Sequence, residues 1–178
     1  MSADAPGRFS RVLCGVFAAI GVVAVIGAVF LAFVYTDDIA AVRALDPKAG
    51  QVYAHVWQRL KETGTSADAT VWRIPLAEGI TPEDAETTMN FVANSHNIKN
   101  VGELPLSAQV EAMTGKKQRF LKIYQYCDPL TAMKMVEYSD AFSAYLPCRI
   151  ALVEDRQGKY ALYSLNMDLM IEGGRTLP

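Results

Sequence analysis

The sequence predicts an α+β protein on a membrane anchor. One N-terminal transmembrane helix is followed by a small domain with an antiparallel or mixed β-sheet and two or three helices. Three observations carry that reading. Val12–Tyr35 is apolar and free of charge; strand-like and helix-like stretches alternate from Ala69 onward; and the last two strands are joined by the short turn Asp155-Arg156-Gln157-Gly158. Interspersed segments of both kinds, closed by a hairpin, point to a sheet with helices segregated on it.

The anchor is argued from length. At about 1.5 Å rise per residue the uncharged run spans a hydrocarbon layer of roughly 30 Å with some tilt. Lipid offers no partner for backbone N–H and C=O groups, so such a run is helical. A cleaved signal peptide has a shorter apolar core and a small-x-small site, whereas this run ends in LAFVYTDD; it is expected to be retained. Arg8 and Arg11 precede the helix and Asp37 and Asp38 follow it, which puts the amino terminus in the cytoplasm and the domain on the outer, periplasmic side of a bacterial inner membrane. Ala18, Gly21, Ala24, Ala28 and Ala32, with Cys14, line one helix face. Small residues at this spacing admit a second helix, although the same residues also occur in helices that face only lipid.

The expected division is 1–36 as anchor, 37–68 as juxtamembrane helices and linker, and 69–178 as the outer domain. Of 178 residues, about 140 remain beyond the anchor, enough for one domain with its own core. A net charge of −2 leaves no basic field for nucleic acid.

Asp37–Leu45 reads as a helical extension stopped by Asp46-Pro47. Residues 48–63 carry Val52, Val56 and Leu60 at helical spacing, with Gly64 as the stop and Lys61 in the last turn. His55 lies off that stripe and reads as solvated. Residues 63–69, TGTSADA, read as a polar linker, and 69–76 as the first strand. Thr81-Pro82-Glu83-Asp84 opens a helix with a Thr cap, Pro in the first turn and acids at the positive end of the dipole. That helix turns Ala85, Met89, Val92 and Ala93 inward and ends near His96.

A short strand within 97–106 and a brief helix capped by Ser107 come next. Residues 119–127, RFLKIYQYC, form the clearest strand, and Pro129–Tyr138 a helix with Leu130, Met133 and Val136 on one side. A further turn passes through Phe142 and Tyr145. Strands at 148–154 and 159–167 follow, and the tail holds Gly173-Gly174, where the backbone needs freedom.

In that half the residues YCDP (126–129), TAMKMVEYSDAFSAY (131–145) and LPCRIALVED (146–155) resemble the bacterial domain of unknown function 302 family over about residues 69–171. The resemblance implies a small α+β domain, often a homodimer, with no settled activity. Asp128 stands where Asn would serve as well.

Cys127 and Cys148 are the sharpest chemical feature. They admit three readings: buried inert thiols, a disulfide in an oxidising compartment, or thiolates for copper or haem together with the thioethers of Met167 and Met170. No CxxC and no cluster of cations beyond Arg149 activates either thiol. The usual catalytic constellations are missing: there are two histidines, no glycine-rich phosphate loop, and no motif around Ser139 or Ser164. Glu154-Asp155 suits a hairpin turn, and Asp168 with Glu172 a solvated strand end.

The expectation is a non-catalytic, cofactor-free accessory subunit that docks on other membrane-protein subunits of a larger redox or energy-converting complex. The alternative is a tethered protein handling copper, haem or thiol redox through Cys127 and Cys148.

Overall fold

The structure, a computed structural model, describes residues 8–177. The amino terminus and the Arg8 side chain, both invoked above for orientation, lie outside the described residues. Helix α1 (Arg8–Val34) contains a 24-residue apolar stretch, Arg11–Val34, within which an 18-residue segment has mean hydropathy 2.8 and is 0% buried. Ala18, Gly21, Ala24, Ala28 and Ala32 are all exposed on it, and among the described residues nothing outside the helix's own backbone stands within 4 Å of where a side chain on Gly21 would begin. Helix α2 (Thr36–Arg43) continues the rod, with Asp37 and Asp38 in its first turn and Arg43 in its last.

Helix α3 (Ala49–Thr63) ends as expected at Gly64, whose φ of 73° is the left-handed turn that glycine adopts without a Cβ penalty. His55 is exposed on it. The stretch read as a linker is instead the short helix α4 (Ser66–Thr70), because Thr65 caps it by accepting a hydrogen bond from Asp68 N at 3.2 Å.

Five strands then make one antiparallel sheet in the order β1-β5-β4-β3-β2: β1 (Val71–Pro75), β2 (Lys99–Leu104), β3 (Leu121–Cys127), β4 (Cys148–Glu154) and β5 (Tyr160–Leu165). The first strand is therefore an edge, where Pro75 is tolerated. The helices of this part are α5 (Pro82–Ser95), α6 (Leu106–Thr114), α7 (Pro129–Tyr138), a 3-10 turn at Asp140–Tyr145, and α8 (Met167–Ile171).

Strand side chains alternate faces, so Lys122, Tyr124 and Tyr126 of β3 point the same way. The register Tyr124↔Ile150 and Tyr126↔Cys148 puts Ile150 and Cys148 on that face, with Leu152 and Leu162. α5 covers it. Ala85, Tyr124, Tyr126 and Leu152 form the buried core, with Met89, Ala93, Ile98 and Ile150 packed around them. Phe120 and Tyr160 meet edge to face at 5.9 Å at one end. On the opposite face Ile123, Ala151 and Tyr163 stand in register and are only half-buried. The core is thus one-sided.

Four local readings are corrected. Ser107 does not cap α6, whose N-cap is Pro105; its hydroxyl accepts from Leu121 N at 3.1 Å and so ties α6 to the start of β3. α7 presents Ala132, Met135 and Val136 toward the protein and leaves Leu130 and Met133 outside, because the turn from β3 through the Asp128 cap fixes its rotation. β5 ends at Leu165, and the side chain of Asn166 accepts from Asp168 N at 3.0 Å to start α8, so Met167 is helical rather than in a strand. Gly173 is needed for contact: a Cβ there would lie 2.2 Å from the Leu169 carbonyl oxygen.

The chain after α2 is tied back to the carboxyl end. Asp46 N donates to Gly174 O at 2.8 Å, the Tyr53 hydroxyl donates to Gly173 O at 2.8 Å, the Thr176 hydroxyl donates to Asp46 at 3.1 Å, and Lys48 pairs with Glu172. Ala49 and Val52 are buried in this second small packing unit. The pairing also accounts for Glu172, whose partner is a lysine rather than Asp168.

Candidate functional site

Two sites lie under α5, and the caps at the helix starts position both. Thr81 and Asp84 make a reciprocal capping box, the Thr81 hydroxyl oxygen accepting from Asp84 N at 3.1 Å and Asp84 accepting from Thr81 N at 3.0 Å. At α7 the Asp128 carboxylate accepts from Leu130 N at 3.3 Å and Thr131 N at 3.2 Å. The Thr131 hydroxyl, which also donates to it, and those backbone groups hold the Asp128 carboxyl below its usual range.

The first site is a charged network at the amino-terminal half of α5. Lys122 Nζ donates to both oxygens of Glu86 at 3.0 and 2.9 Å and pairs with Glu103 at 2.8 Å. The Tyr124 hydroxyl donates to Glu86 at 3.0 Å. One helical turn on, Asn90 accepts from the Tyr126 hydroxyl at 3.0 Å and from Asn100 at 3.2 Å, and Asn100 also donates to Glu103 at 2.8 Å. Burial and the adjacent Glu86 carboxylate push the Tyr124 hydroxyl far above its ordinary range. Burial lowers Lys122, but the Glu103 and Glu86 hydrogen bonds outweigh it and hold the ammonium above its usual value.

These residues clasp α5 to β2 and β3, and their heteroatoms are committed to one another. Sequence reasoning missed them. The signal was present in two matched spacings: Glu86 and Asn90 four apart on a helix, and Lys122, Tyr124 and Tyr126 alternating on a strand.

The second site is a cavity of about 610 Å³ between the carboxyl-terminal half of α5, α7, and the adjoining ends of β3 and β4. Met89, Val92, Ala93, Ile98, Met135 and Ile150 are among its walls. Cys127 and Cys148 both line it and both thiols are free. Burial, and then the neighbouring Cys127, push the Cys148 thiol up, so it stays protonated near neutrality. Met167 and Met170 are not in its lining; they belong to α8, and the thioethers that share the cavity with the two cysteines are those of Met89 and Met135. The four-residue set Cys127, Cys148, Met167 and Met170 is therefore not gathered there, because both methionines lie in α8, past the end of β5. Among the described residues no three His, Cys, Asp or Glu side chains are grouped so as to hold a metal ion.

A five-stranded antiparallel sheet with helices packed on one face, open to a cavity at one end, defines the class: a small one-sided α+β sandwich. The model of the family Domain of unknown function DUF302 matches residues 73–176, and the chain belongs to that family. The crystal structure of an uncharacterized conserved protein DUF302 from Bacillus stearothermophilus is similar in fold, with a TM-score of 0.51 at 9% identity over 57% of this chain and 77% of that one. Comparison with curated protein sequences finds no match.

Proposed function

We propose that the protein is a tethered, non-catalytic accessory subunit. In this reading α1 crosses a bacterial inner membrane with its amino terminus inside, and the DUF302 domain lies over the periplasmic face of a larger complex, one that converts energy or carries out redox chemistry. The observation that carries it is α1 itself, a rod whose apolar surface is left exposed among the described residues. The domain adds outward apolar side chains: Met113, Leu130 and Phe91 are 84%, 74% and 73% exposed. Isolated exposures of this kind are common, but their number on a single small domain suits one that covers another surface.

The test is purification of the full chain from membranes in mild detergent, with identification of the proteins that travel with it and protease protection to place the domain. A stable set of integral-membrane partners, lost when Ala24 and Ala28 are changed to Leu, supports the reading. A solitary chain, or a domain facing the cytosol, overturns it.

A second reading has one observation in its favour: two free thiols line one cavity. As a copper-, haem- or thiol-handling protein the chain would bind the group through Cys127 and Cys148. Titration with copper(I) or haem would then give a stoichiometric spectrum that Cys127→Ser abolishes; an unchanged spectrum rules this out.

A further inference from the structure

We infer that the cavity between α5, α7 and the β3–β4 end of the sheet is a binding site for one uncharged, predominantly apolar small molecule. This role is separate from the accessory-subunit reading and gives the cavity that Cys127 and Cys148 line a different occupant from copper or haem. Its volume of about 610 Å³ lies in the range of pockets that enclose small organic ligands, and its walls converge from three elements rather than forming a flat face.

The chemistry of the lining selects the ligand. Methionine, isoleucine, valine, alanine, leucine and the two cysteines make up most of the lining, and methionine adapts its shape to irregular guests. The hydroxyls at the wall are already used: Thr88 donates to Asp84 O at 2.8 Å, Tyr126 to Asn90 at 3.0 Å, and Thr131 to Asp128. The Asp128 carboxylate, the one acidic group in the lining, is occupied by the start of α7. No lysine or arginine is in the lining to hold an anion.

An anionic guest meets no cation in this lining, and a cationic one meets only the Asp128 carboxylate, already engaged by the start of α7, so neither recovers the hydration it gives up. The thiols match this character, since Cys148 is held protonated by burial and behaves as a small apolar group with a weak donor. His96, exposed at the rim, offers a ring nitrogen to a single polar edge of the guest.

The test uses the full chain in lipid nanodiscs with ¹³C-methyl-labelled methionine. Indole is the uncharged probe, and indole-3-acetate and tryptamine are charged probes of similar size, each corrected with empty nanodiscs. Indole is expected to shift the Met89 and Met135 methyl signals saturably while the exposed Met113 stays still, and to bind at least about tenfold more tightly than either charged probe. Ala132→Trp, which fills the cavity from α7, abolishes the shifts at an unchanged melting temperature; Ala93→Phe fills it from α5 and serves if the first variant fails to fold. Equal binding of the charged probes, shifts spread equally to Met113, or retained binding in a folded cavity-filling variant overturns the inference. None of these readouts depends on what travels with the chain, so the accessory-subunit reading stands or falls separately.

Discussion

The two halves of α5 rest on one sheet face and meet it in opposite ways. At the first half Glu86 reaches Lys122 and Tyr124, and every polar group is answered within the chain. At the second half Met89, Val92 and Ala93 face a cavity whose hydroxyls and carboxylate are engaged elsewhere and whose apolar walls lack a partner. The same helix is thus locked at one end and roofs an open space at the other. A satisfied network in a partly buried setting holds a helix in one place and one rotation.

The comparison breaks most severely at the residue the two halves share. Leu152, 0% exposed beneath α5, is expected to cost about 2–5 kcal/mol on truncation in Leu152→Ala, measured by denaturant unfolding. A loss below about 1 kcal/mol would mean that the helix is not seated on the sheet as described.

Lys122→Met acts on the locked half alone. It leaves Glu86 and Glu103 facing each other without their cation. With both carboxylates partly exposed, the cost is expected to be about 1–3 kcal/mol, restored in part by Glu86→Gln in the same chain. An additive double mutant would show that the contacts are not coupled.

The pH profile sharpens the same half. The Lys122 hydrogen bond holds Glu103 below its ordinary value of 4.5, so its contribution is present above that pH and fades as pH falls through the lower folded value. Lys122, held above its ordinary 10.5, contributes fully below that pH and loses the contribution as pH rises through its higher folded value. Stability measured across pH should therefore sag at both ends. Lys122→Met should flatten both limbs, and a variant that keeps the wild-type profile would remove the network from the account.

The smallest effect belongs to the open half. Met135→Ala trims the wall of a space that is already present, so it is expected to cost under about 1 kcal/mol by the same unfolding measurement. A loss as large as that of Leu152→Ala would show that the cavity is closed in solution.

Much of the fold was legible because local chemistry decided it. Thr81-Pro82 and Asp128-Pro129 each carry a side-chain acceptor for orphan N–H groups and a proline in the first turn, and α5 and α7 begin there. The apolar run of α1, the glycine stop of α3 and the hairpin at Asp155–Gly158 are decided within a few residues as well. Cys127 and Cys148 were singled out by residue type alone, and they share a cavity. Their companions were not legible. Met89 and Met135 lie on two helices separated by two strands, and which of seven methionines joins the thiols depends on how each helix is rotated on the sheet.

From its residues in isolation the chain determined an apolar rod, an α+β domain with an antiparallel or mixed sheet, and the starts of its principal helices. These follow from hydration, backbone hydrogen bonding and side-chain caps that act over one or two turns. Tertiary structure alone decided that β1 sits at the edge beside β5, that α7 turns Met135 inward and Leu130 outward, and that Glu86, Glu103 and Lys122 meet. Those outcomes depend on strand register and on helices packing across long stretches of chain, where many arrangements satisfy the same local preferences and only the shared core selects one.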